Sequence, residues 1–155
     1  MRKLYLLTLT MLCATFLQAA PRLEAGKRYH IVCQQFTQGC VTDGATARQN
    51  TPVYYQPQAT TGDETWWYFT QEDEGVYSIK NAKTGQYVTY DVVRSDSPQL
   101  RRYVSMTDRK DGNNSLWQIV RQESGIYVIR SISHNDHLWD VRVSSYCVGT
   151  YSNGG

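Results

Sequence analysis

The sequence predicts an all-β domain made of three copies of one unit, each of about four short strands, packed around a common axis. Three observations lead there. Gly75-Val76-Tyr77-Ser78-Ile79 returns 50 positions later as Gly125-Ile126-Tyr127-Val128-Ile129, and Trp67 to Trp117 is again 50. After the first twenty residues there is no sustained apolar stripe of helical period. The aromatic residues are weighted to tyrosine, with 12 Tyr and 4 Trp against 3 Phe, and amphipathic rings of this kind suit strands and wet surfaces.

The chain opens on an address. Arg2 and Lys3 precede a largely apolar run from Leu4 to Leu17, which ends in the small residues of Gln18-Ala19-Ala20. This is the pattern of a signal peptide, residues 1–19, with cleavage expected after Ala19 because Pro21 would sit poorly just past a cut at Ala20. The run is short for a membrane span and carries Thr8, Thr10 and Thr15. Leu12 stands before Cys13 where a lipoprotein signal needs a small residue. The expected product is secreted, periplasmic or at the cell surface, with no membrane insertion once the leader is removed. Losing Arg2 and Lys3 also changes the charge, from 16 basic against 14 acidic residues to 14 against 14. A neutral domain lacks the excess Lys and Arg on which nucleic-acid and polybasic membrane binding rely.

The first copy, about residues 26–74, begins at Gly26 and runs into Tyr29-His30-Ile31-Val32-Cys33, an aromatic and β-branched stretch read as a strand. Cys40-Val41 follows after a turn at Gln38-Gly39, and Trp66-Trp67-Tyr68-Phe69 closes the copy. The second copy, about 75–124, repeats this as Val76 to Ile79, the turn Ala82 to Gln86, Tyr87-Val88, the turn Asp111-Gly112-Asn113, and Leu116-Trp117-Gln118-Ile119. The third, 125–155, has Ile126 to Ile129 and Leu138-Trp139. Val41, Val88 and Trp139 lie 12, 11 and 12 residues after Tyr29, Tyr77 and Tyr127. One such unit cannot bury its own apolar face, and closing three into a barrel hides the sheet edges. Tyrosine-to-tryptophan spacings of 38 and 40 put the third tryptophan equivalent near 165–167, beyond Gly155. The last strand is therefore expected to be missing, either because the sequence is a piece of a longer protein with a downstream domain or because the barrel is open along one edge.

The three repeats of about 40–50 residues, each ending near a tryptophan, resemble a ricin-type β-trefoil over residues 26–155. The third copy carries the clearest match, in His137-Leu138-Trp139-Asp140-Val141 and Val148-Gly149-Thr150-Tyr151. The family's Gln-x-Trp signature stands here as Thr65-Trp66-Trp67 and Ser115-Leu116-Trp117, with the glutamine replaced both times. The resemblance implies a shallow sugar pocket per repeat. There a carboxylate accepts hydrogen bonds from adjacent hydroxyls and an aromatic face covers the C–H side of the ring. It puts Asp140 at the carboxylate position and Tyr151 at the stacking position, with Asn153 close behind. The first copy has Thr42 at the carboxylate position, Asp43 one residue late and Tyr55 as a platform; the second has Thr89 and no equivalent aromatic. Trp67 and Trp117 are expected in the core, and alternation along the strand points Trp139 inward, opposite to Asp140.

Catalysis is not expected. Nucleophile-elbow, zinc-protease and P-loop motifs are absent, and the acidic stretch Asp63, Glu64, Glu72, Asp73 and Glu74 surrounds a strand rather than facing one cleft. His134, Asp136 and His137 read as a solvated loop rather than a metal site, and no cofactor is expected. Asp108 to Asn114 lacks the spacing of a calcium loop. Of the three cysteines after the leader, Cys33 and Cys40 are candidates for a disulfide across a hairpin, leaving Cys147 over. The expected function is a secreted, non-catalytic, carbohydrate-binding module that targets a longer protein to glycans. The alternative is a degenerate trefoil that serves as a scaffold or protein-interaction module.

Overall fold

A computed structural model of the chain describes residues 23–34, 40–42, 53–56, 62–91, 103–122, 125–135, 137–142 and 147–152. The expected signal peptide, residues 1–19, lies outside them, as do Asp43 and Asn153. No α-helix occurs among the described residues, so none is long and apolar enough to cross a membrane. The first copy holds β1 (Arg28–Tyr29), β2 (Cys40–Thr42), β3 (Tyr54–Gln56) and β4 (Trp67–Asp73). The second holds β5 (Val76–Asn81), β6 (Tyr87–Asp91), β7 (Tyr103–Thr107) and β8 (Trp117–Arg121). The third holds β9 (Tyr127–Ser131), β10 (His137–Arg142) and β11 (Cys147–Ser152).

The strands form two tiers. In the barrel tier β1, β4, β5, β8 and β9 pair consecutively and antiparallel. The other tier consists of the hairpins β2–β3, β6–β7 and β10–β11, and β11 draws them together. It pairs with β3 at Cys147↔Tyr54 and with β7 at Gly149↔Tyr103. The Val53 amide completes the junction by donating to the Val104 carbonyl at 2.8 Å. The repeat seen in the sequence is also a repeat of register, because Tyr29 pairs with Trp67 as Tyr77 pairs with Trp117. Each copy starts on a glycine in the left-handed region, Gly26, Gly75 and Gly125, with φ of 76°, 69° and 79°. A side chain at these turns would meet the backbone strain that glycine avoids.

The core lies where the tiers meet. Val41, Val88, Val104 and Met106 come from the hairpins, and Trp67, Ile79 and Trp117 from the barrel. Trp67 and Trp117 are both 0% exposed, as strand-end core anchors should be. Trp139 packs against this core, its ring edge-to-face with Trp117 at a centroid distance of 5.2 Å.

Two local readings are corrected. The stretch Tyr29 to Cys33 is not one continuous strand; β1 covers only Arg28–Tyr29, and Cys33 forms an isolated bridge. Among the described residues β1 has a partner on one side only, β4, so a strand-forming composition has no second ladder to sustain it. The turn around Gly112 is also more ordered than turn chemistry implies. Gly112–Ser115 is a 3₁₀ helix leading into Trp117, and Asp63–Thr65 is its counterpart before Trp67.

Candidate functional site

The third-copy hairpin carries the residues singled out in the sequence. The β10–β11 register pairs Asp140 with Gly149 and Leu138 with Tyr151. Asp140 and Tyr151 are therefore diagonal neighbours on adjacent strands, positions of one parity, a separation that long and aromatic side chains span. Their side chains lie outside those described, as does that of Tyr55, which pairs with Val41 in the first-copy hairpin. Asp43 and Asn153 lie outside the described residues altogether.

The equivalent positions in the other copies are fully described, and both are closed. Thr42 is 4% and Thr89 5% exposed. Ser115, in the second 3₁₀ helix, is buried over Thr89, and its hydroxyl donates to Thr89 Oγ1 at 3.1 Å. Thr65, at the same place in the first 3₁₀ helix, is also buried, and its hydroxyl donates to the Gly62 carbonyl at 2.8 Å. These are the two residues that replace the signature glutamine. The replacement has a packing reason, since a short hydroxyl fits beneath the turn and satisfies itself there. The third copy carries Asp140 at the equivalent position.

A cluster that the sequence did not reveal anchors the start of β10. His137 is 8% exposed, and its Nδ1 lies 2.9 Å from the buried Tyr90 hydroxyl. His134 stacks on the Tyr90 ring at a centroid distance of 4.2 Å. The Ser131 hydroxyl accepts the His134 amide at 3.2 Å. The reading of His134 and His137 as a solvated loop is thus corrected: the two rings clamp the third hairpin onto β6. The missed signal was Tyr90 itself, at an alternation position beside the buried Val88. Among the described residues no three His, Cys, Asp or Glu side chains come together to hold a metal ion; Asp136 is not among them.

Much of the acidic stretch is tied to basic partners. Asp63 meets Arg28 at 2.9 Å, Glu64 meets Lys83 at 3.5 Å, and Glu72 meets Lys110 at 2.8 Å. The bond from Lys110, with a second from the Ser78 hydroxyl, holds Glu72 below the usual carboxylate range, and the same partner pushes Lys110 upward. A carboxyl held ionised in this way is the opposite of a general acid. Because the folded pKa of Glu72 is depressed, the pair's contribution is present above the ordinary glutamate pKa and is lost as pH falls through the lowered one. Lys110→Ala is expected to move the Glu72 titration back up toward the ordinary value, as read by NMR; an unmoved titration would show that Lys110 does not hold it. An open depression of about 480 Å³ beside this pair is lined by Thr107 to Asp111.

Cys33 is a half-buried free thiol. The Val41 amide donates to the Ile31 carbonyl at 2.8 Å, so the segments bearing Cys33 and Cys40 run side by side, and the Cys40 and Cys147 side chains lie outside those described.

Comparison with known proteins gives a consistent picture. The family model for ricin-type β-trefoil lectin domain-like sequences matches residues 63–150. No curated protein matches the chain. Among solved structures the chain is similar to the designed three-fold symmetric protein ThreeFoil, with 19% identity and a TM-score of 0.69 over 83% of this chain and 91% of that one. It is similar to the Macrolepiota procera ricin B-like lectin, solved in complex with lactose, with 13% identity and a TM-score of 0.65 over 87% and 92%. A mosquitocidal holotoxin aligns at 17% identity and a TM-score of 0.70, over 83% of this chain but only 16% of the toxin. At these identities the likeness establishes the fold and leaves ligand and activity open.

Proposed function

Because the chain belongs to the ricin-type β-trefoil lectin-like family, we propose that it is a secreted, non-catalytic module that binds carbohydrate through its third repeat. Asp140 accepts hydrogen bonds from two neighbouring sugar hydroxyls, Tyr151 covers the apolar face of the ring, and Asn153 adds a polar contact. One observation carries this reading. Of three equivalent positions, the two closed beneath a 3₁₀ turn hold a small threonine, and the third holds a carboxylate. A buried, unpaired carboxylate is costly, so an aspartate there suits a position that faces hydroxyl groups or water.

The tied carboxylates of the acidic stretch support the non-catalytic part. A glycosidase needs two carboxylates free to act on one bond, whereas Asp63 and Glu72 are each held in an ion pair. The sequence pattern of the leader supports export to the periplasm, cell surface or medium, and the family supports a role in bringing an associated or downstream domain to a glycan. The closed first and second copies favour a second reading, a trefoil scaffold that has lost its sugar sites.

A glycan array separates the two. The protein is expected to bind a restricted set of glycans, and Asp140→Ala is expected to lose at least about tenfold in affinity, since hydrogen bonds to a charged group contribute roughly 1.5–3 kcal/mol. Its circular dichroism should be unchanged. Binding that survives Asp140→Ala removes the site assignment, and silence from a folded wild-type protein favours the scaffold.

A further inference from the structure

The hairpin that carries Asp140 and Tyr151 is tied to the rest of the protein unevenly along its length. At one end β11 pairs with β3 at Cys147↔Tyr54, and in its middle with β7 at Gly149↔Tyr103. At the other end His137 pairs with Ser152 and Leu138 with Tyr151. Among the described residues, the ladder from this end to another strand is the pair Leu138↔Arg130 with β9. Side chains hold it further. Trp139 meets Trp117 edge-to-face, and ahead of it the buried His137 places its Nδ1 2.9 Å from the Tyr90 hydroxyl.

This bond is not part of the repeat. Counted from the equivalent residues Val88 and Trp139, His137 stands where the second copy has Gln86. Gln86 is also buried, but its Nε2–H donates within its own copy, to Asp108 Oδ1 at 2.8 Å. Tyr90 in turn stands where the third copy has Val141, which has no hydroxyl to offer. Both residues depart from the pattern of the copies, and the two departures meet. The Tyr90 ring also carries the stacked His134, with planes 16° apart. A hydrogen bond between a buried hydroxyl and a buried imidazole is directional, and it fixes the place of a strand more narrowly than apolar contact does.

We propose that Tyr90 and His137 are positioning residues for the third-copy ligand site, so that a side chain of the second copy sets the place of the strands that carry Asp140 and Tyr151. The inference rests on the sugar reading of that site. His137 lies three residues before Asp140 on β10, and its register partner Ser152 directly follows Tyr151 on β11. A shift at His137 therefore passes into both strands of the hairpin. Recognition of hydroxyl groups by a carboxylate and an aromatic ring needs the backbone held to within about 0.5 Å, so a site built on strands is as exact as their anchor. The two residues act through the backbone and make no contact with the sugar.

The test compares wild type with Tyr90→Phe, which keeps the ring and its stack on His134, using the array glycan that wild type binds most tightly. Affinity measured by calorimetry, well below the melting temperature, should fall about three- to tenfold, the scale of one hydrogen bond. His137→Leu should lose as much, and the double variant no more than either single change. His137→Asn, which keeps a polar atom near the Nδ1 position, should recover most of the loss. A merely structural pair would lower the melting temperature and leave the affinity of the folded protein unchanged. That result, or additive losses, would overturn the proposal. Amide exchange separates its failure from failure of the sugar reading. In Tyr90→Phe, exchange at residues 137–139 and 150–152 should speed by at least about threefold relative to residues 117–121, the same scale of loss. A wild type that binds no glycan overturns the sugar reading and the positioning role with it, even where exchange shows the hairpin released. A wild type that binds, with affinity and exchange both unmoved in Tyr90→Phe, overturns the positioning role alone.

Discussion

Trp117→Ala is expected to destabilise the fold by about 3–5 kcal/mol, the range for truncating a buried aromatic side chain. The ring is 0% exposed, meets Trp139 edge-to-face at 5.2 Å and donates to the Val88 carbonyl at 3.1 Å. Truncation removes contacts with both tiers and opens a cavity where they meet. Since a domain of this size is stable by only about 5–15 kcal/mol, such a loss should shift the urea midpoint strongly or prevent folding at moderate temperature. Tyr127→Ala is the internal control. With 47% of Tyr127 exposed, its truncation should cost no more than about 1 kcal/mol. Similar losses at the two positions would mean that the third copy is packed as tightly as the second.

The contrast follows from a repeat that was legible in the sequence. Shared spacings, 48 residues from Tyr29 to Tyr77 and 50 from Trp67 to Trp117, became a shared register, with Tyr29 against Trp67 and Tyr77 against Trp117, although the strands differ in length. Spacing does not report what lies on top of a position. Thr42 and Thr89 were legible as counterparts of Asp140, but their closure by Thr65 and Ser115 depends on two 3₁₀ turns that have no hydrophobic period to announce them. The histidines fared similarly. A loop containing His134 and His137 looks solvated until the fold brings Tyr90, 47 residues from His137, against both rings. The Tyr29 to Cys33 run shows the reverse effect: composition favoured a strand, and the lack of a second ladder among the described residues cut it short. What the sequence could not display was in each case which segments distant along the chain meet in the fold.

That difference between position and surroundings is tested by Thr89→Asp, which writes the third-copy residue into the second copy. Sequence equivalence alone would make the variant a second sugar site. The structure implies a different result, because Thr89 is 5% exposed and its Oγ1 lies 3.1 Å from the Ser115 hydroxyl. One hydroxyl donor is poor compensation for a carboxylate removed from water, and an uncompensated buried charge costs about 3–5 kcal/mol. Thr89→Asp should therefore lower the unfolding midpoint sharply at neutral pH and recover part of the loss in acid. Its aspartate would be pushed above the usual carboxylate range by burial, and protonation removes the penalty. The sign follows from linkage: a folded pKa raised above the unfolded one makes the folded state relatively more stable as pH falls. Asp140→Thr, the reciprocal change, should leave stability within about 1 kcal/mol while lowering glycan affinity. A Thr89→Asp protein as stable as wild type, with a new glycan-binding site, would show that the 3₁₀ turn over Thr89 opens readily. Burial of Thr89 would then not separate the second copy from the third.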